Sequence, residues 1–106
     1  MKITKIEVQK KDKHRYNIFL DGSFAFGLYE DSVLKYGLRT KDELDEKKIK
    51  EMREFDEFGY GKKAAYSFLA YKPRSKKELV KKLKQKKISD KIIEDIIKIL
   101  EKQNLR

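Results

Sequence analysis

The sequence predicts an α+β fold, a small three-stranded antiparallel β-meander with a short helix, followed by a three-helix unit. Three observations carry that expectation. Apolar residues alternate with polar ones up to Leu28, and an Asp21-Gly22 pair divides two of the alternating runs. From about Asp45 onward the apolar residues recur at helical spacing instead. Near the end, Pro73 and Ser75 punctuate that second pattern into separate helices.

Residues 2–10 read as the first strand, with Ile6 and Val8 on one side and Ile3 out of phase. Lys11-Asp12-Lys13-His14 is a charged turn. Residues 15–20 alternate better, with Tyr16, Ile18 and Leu20 on one face and Asn17 and Phe19 on the other. Asp21-Gly22 is the signature of a type I′ hairpin turn, whose central positions both need positive φ. Residues 23–28 return with Phe24, Phe26 and Leu28 in alternation. A short helix starts at Glu30 or Asp31, turns Val33 and Leu34 inward and stops at Gly37. It would cover the open face of a meander that is marginal alone. Thr40 to Asp45 is polar and acidic and reads as a linker.

A helical pattern then runs from Asp45 or Glu46 to about Tyr71 on Ile49, Met52, Phe55, Phe58, Ala65, Phe68 and Leu69. Gly59 and Gly61 interrupt it, so the helix bends there, splits, or lets another helix approach. Pro73 disfavours helix at Lys72. Ser75 and Glu78 have the spacing of a capping box, and Leu79, Val80 and Leu83 line one face of the helix that follows. Ser89 caps a last helix, with Ile88 and Ile93 as a staple and Ile92, Ile96, Ile97 and Leu100 at helical spacing. The expected organisation is residues 1–40 as meander and helix, 41–60 as acidic linker and helix start, and 61–106 as a basic three-helix repeat.

The net charge of +10 is unevenly spread: +3 over residues 1–40, −3 over 41–60 and +10 over 61–106. A basic module of this kind suits a polyanion or an acidic protein surface. The candidate contact residues are the run Lys72, Arg74, Lys76 and Lys77 at a helix entrance, then Lys81, Lys82 and Lys84 along that helix. Lys62, Lys63 and Tyr71 join them from the preceding helix. Lysine is a point charge suited to phosphates, and Arg74 is the only arginine between Arg53 and Arg106. Any nucleic-acid contact should therefore be backbone-directed and indifferent to sequence.

Nothing reads as a catalytic site, so an enzyme is not expected. There is no cysteine, and His14 is the only histidine. Asp42, Glu43, Asp45 and Glu46 suit a solvated helix N-terminus better than paired catalytic carboxylates. Gly59-Tyr60-Gly61-Lys62-Lys63 lacks the spacing and the Ser or Thr of a phosphate loop. No cofactor, metal or small-molecule substrate is implied. No apolar run approaches the roughly 20 residues that span a bilayer. The start, Met1-Lys2-Ile3-Thr4-Lys5, lacks a secretion signal's apolar block, so a cytoplasmic protein without a membrane partner is expected.

The run Leu69-Ala70-Tyr71-Lys72-Pro73-Arg74-Ser75-Lys76-Lys77-Glu78-Leu79, with Leu83 and the isoleucine-rich helix after it, resembles the RecX family. Members regulate the bacterial RecA recombinase. The upstream hairpin with its Asp-Gly turn, short helix and acidic stretch is also similar. Lys72 stands where the family often has arginine, and Lys87 near where it often has glycine. Family members usually carry three tandem three-helix repeats. A chain with one, ending Gln103-Asn104-Leu105-Arg106, reads as a piece of a longer protein. The resemblance implies control, usually inhibition, of RecA in recombination, DNA repair and the SOS response. Its implied partners are the RecA filament and the phosphate backbone of single-stranded DNA. The alternative from the lysines alone is a sequence-independent nucleic-acid-binding module unrelated to RecA.

Overall fold

A computed structural model describes residues 1–73 and 75–103 of the chain. It has three antiparallel strands followed by four helices, the expected α+β class. The chain divides into two compact units, Met1–Asp56 and Glu57–Arg106.

In the first unit, β1 (Ile3–Val8), β2 (Arg15–Leu20) and β3 (Ser23–Tyr29) form a sheet in that order. Asp21 and Gly22 have φ of +50° and +88°, the two positive values the tight hairpin turn requires. The register is interrupted twice. Ile3 faces Leu20 and Lys5 faces Phe19, leaving Thr4 as an extra residue. Likewise Ile18 faces Phe26 and Phe19 faces Phe24, leaving Ala25 extra. The first bulge explains why Ile3 is out of phase yet fully buried. The second overturns the alternation expected of β3. Phe26 and Leu28 enter the core, whereas Phe24 turns to the other face and is 58% exposed. There it meets Phe19 edge-on, with ring centroids 5.9 Å apart, and the Lys5 ammonium lies 5.4 Å from the Phe19 centroid.

Helix α1 (Glu30–Tyr36) ends at Gly37 with φ of +55°, as expected. It packs against β2 and β3. Its inward side is Ser32, Val33 and Tyr36. Leu34, expected inside, is 71% exposed, because two turns of helix can present only one stripe to the sheet and Ser32 leads it.

The stretch read as a linker is tied to the sheet. Ile3 N–H donates to Asp42 O at 2.8 Å, and Lys41 N–H to Ile3 O at 2.7 Å. Leu38 and Leu44 are buried with Ile3, Ile18, Leu20, Phe26, Leu28 and Met52. Backbone pairing with the edge of β1 overrode the polar composition here.

Helix α2 (Glu46–Tyr71) is continuous through both glycines, so the split considered from the sequence does not occur. The Asp45 carboxylate accepts from Lys48 N–H at 2.7 Å at its start. Asp56, only 8% exposed, accepts at Oδ1 from Ser32 Oγ at 2.6 Å and from Tyr29 N–H at 2.7 Å. Those two donors lie at the start of α1, which has no side-chain cap of its own, so a carboxylate from α2 ties that end of the helix.

In the second unit α2 continues to Tyr71, followed by α3 (Lys76–Gln85) and α4 (Asp90–Lys102). The core is aliphatic: Ala65, Leu79, Leu83, Ile88, Ile92, Ile93, Ile96, Ile97 and Leu100. The capping box at α3 is complete. Ser75 Oγ accepts from Glu78 N–H at 3.1 Å, and Glu78 Oε1 accepts from Ser75 N–H at 3.2 Å. At α4 the expected cap position holds but not its bond. Ser89 makes no side-chain cap; instead its Oγ donates to Glu57 Oε1 at 2.9 Å and its N–H to Glu57 Oε2 at 3.3 Å. Gly61 is where helices close in. A Cβ there would lie 2.5 Å from Ile96 Cδ1 and 3.1 Å from Ile88 Cδ1, while one at Gly59 would meet nothing within 4 Å.

Candidate nucleic-acid and partner interface

Helix α3 owes its position to Leu79 and Leu83, buried one turn apart in the aliphatic core. That packing fixes which residues face water. Lys77, Lys81 and Lys84 follow one another at intervals of four and three, so they stand on one stripe of the helix, and all three are exposed. Seven residues of helix place the ends of this ridge about 10 Å apart. Among the described residues no ion pair involves these three ammonium groups.

The other candidates divide. Tyr71, at the end of α2, is 89% exposed, and Lys72 beside it is exposed too. Lys76 is exposed and lies 3.9 Å from Glu101 Oε1. Lys63 is exposed on α2. Lys62 and Lys82 are half-buried, their ammonium groups 5.2 Å from the Phe58 ring centroid and 5.6 Å from that of Phe68. Those two lie along the aromatic rim of the core rather than on the ridge. Arg74 lies outside the described residues, as do Asn104, Leu105 and Arg106. Lys86 and Lys87, exposed in the turn after α3, extend the basic surface beyond the residues singled out from the sequence. Both belong to the lysine-rich stretch from Lys81 to Lys87, which outlasts the helix and of which only Lys81, Lys82 and Lys84 are candidate contacts from the sequence.

Charge follows the division into units. The first carries 13 basic and 12 acidic residues, a net of +1, and the second 15 and 6, a net of +9. In the second unit the buried seam is apolar, so this charge lies at the surface. Such a surface attracts polyanions and loses its hold as salt rises. Among the described residues no three His, Asp or Glu side chains gather as metal ligands, and no helix is long and apolar enough to cross a membrane. His14 stands 3.3 Å from Glu30 Oε2, its side chain mostly in water.

Comparison with known proteins converges on one family. Residues 1–45 match the regulatory protein RecX N-terminal domain, and residues 62–100 match the RecX first three-helix domain. Regulatory protein RecX of Staphylococcus aureus strain JH9 is 36% identical over 104 residues, and that of strain Newman is equally similar. The alignment takes in 98% of this chain but 38% of the relative, so the chain spans about two fifths of the length of these proteins. A crystal structure of regulatory protein RecX superposes with a TM-score of 0.66 at 38% identity, over 96% of this chain and 50% of that one.

Proposed function

We propose, from the premise that this chain belongs to the RecX family and holds its N-terminal and first three-helix domains, that it takes part in regulating the RecA recombinase. In this reading the second unit docks on the filament that RecA forms on single-stranded DNA, and docking inhibits the recombinase. The observation that carries it is the exposed ridge of Lys77, Lys81 and Lys84 on a unit of net charge +9. Ammonium groups on a rigid helix can meet acidic side chains and phosphates alike. Without an arginine fork among them they select for charge and not for base sequence. Tyr71 and Lys72 are exposed as well and would share the contact.

The test is RecA-driven ATP hydrolysis on single-stranded DNA with this protein added. Native protein should lower the rate, and the Lys77→Glu, Lys81→Glu, Lys84→Glu triple variant should lower it far less with its fold intact. No effect of native protein at saturation would reject the reading for this chain. The same ridge supports a second reading, a nucleic-acid binder that does not need RecA. About five phosphate contacts would give duplex DNA a slope near −4.5 in log K against log salt. A flat response would eliminate that alternative.

A further inference from the structure

We infer that the outward face of the sheet in the first unit is a separate contact for single-stranded nucleic acid, a platform on which an unpaired base stacks against Phe24 and Phe19. The face is built row by row. One row crosses all three strands as Lys5, Phe19 and Phe24, paired in register. The next is Glu7, Asn17 and Gly27. Gly27 leaves room for the Arg15 side chain, since a Cβ there would come within 3.1 Å of Arg15 Nε. Arg15 stacks 4.6 Å from the Tyr29 centroid.

The bulge at Ala25 is what makes this surface. In an unbroken ladder Phe24 would share a face with Phe26 and Leu28 and bury its ring. The extra residue sends it outward, where it is 58% exposed and braced edge-on by Phe19. Bulges re-aim side chains at sites of this kind. An exposed aromatic ring among cations offers a base a π-face and its phosphate a counter-charge. Lys5 supplies that charge within the row; its ammonium lies 3.0 Å from the exposed Glu7 carboxylate of the next row, a surface pair that a phosphate can displace, and exposed Lys2 adds another cation just before β1. A protein partner fits less well, because the cores of protein interfaces are depleted in lysine. A duplex fits less well too, because its bases are already stacked.

The experiment is fluorescence anisotropy with labelled oligothymidylate and with an abasic strand of the same length, RecA being absent. Phe24→Ala should weaken oligothymidylate binding about tenfold while leaving its salt dependence unchanged. Native protein should bind the abasic strand no more tightly than Phe24→Ala binds oligothymidylate. Phe24→Leu, which keeps apolar bulk, should show the loss, and Phe24→Trp should not. Equal binding of both strands by native protein, or full affinity in Phe24→Ala and Phe24→Leu, would overturn the inference, the face then serving a protein contact or none. Lys77→Glu with Lys81→Glu should reduce the salt slope but preserve the preference for bases over abasic sugar. Because RecA takes no part, this result and the ATP-hydrolysis result can fail independently.

Discussion

The first unit closes on partners far apart in sequence, whereas the second closes on aliphatic side chains along neighbouring helices. In the first, β1 is hydrogen-bonded to residues 41 and 42, and the start of α1 is held by Asp56. In the second, five of the thirteen residues of α4 are buried, all Ile or Leu. The difference concerns what polar groups are left to do. Near-neutral charge and a buried carboxylate tie many polar groups of the first unit into its own structure. The second is held by its apolar seam, and Lys77, Lys81 and Lys84 stand exposed on it, in no ion pair among the described residues.

The comparison can be broken by substitution. The largest effect is expected of Ile96→Ala, which removes a fully buried side chain and should cost about 2–5 kcal/mol in urea unfolding followed by circular dichroism. Asp56→Ala should cost about 1–3 kcal/mol by orphaning the Ser32 hydroxyl and the Tyr29 N–H. If it cost nothing, the first unit would be held by its apolar core alone, like the second. The two glycines of α2 sharpen the point. Gly61→Ala forces a methyl against Ile96 and Ile88 and should destabilise by about 1–2 kcal/mol, net of its gain in helix propensity. Gly59→Ala meets open space and should stabilise by up to about 1 kcal/mol in the same assay. Ser75→Ala should lower stability by about 1 kcal/mol or less, the capped end being exposed.

Local chemistry was legible in the sequence and long-range chemistry was not. The Asp21-Gly22 turn and the Ser75–Glu78 box are complete within four residues, so their geometry follows from residue type alone. The bulges at Thr4 and Ala25 depend on how three strands align, and reading β3 by itself placed Phe24 on the wrong face. Leu34 was misjudged for a similar reason, the place it was expected to fill being taken by Ser32. The partner that makes Ser32 worth burying is Asp56, 24 residues away. A sign of it was present, since Ile49, Met52 and Asp56 share one helical stripe and only the last is charged. The lysine ridge could be read from its spacing, and so could the Phe58–Lys62 pair, four residues apart on one helix, but the approach of Lys82 to Phe68 needed the packed helices.

The exposure of Tyr71 carries a practical consequence. The protein has six tyrosines and no tryptophan. One phenol stands almost wholly in water beside the α3 entrance, while the others are at least partly enclosed. Tyr71→Trp would give the molecule a single indole at that corner, excitable apart from every other chromophore in the chain. Its emission maximum would then report, without any attached dye, the moment at which a bound surface displaces solvent from that spot.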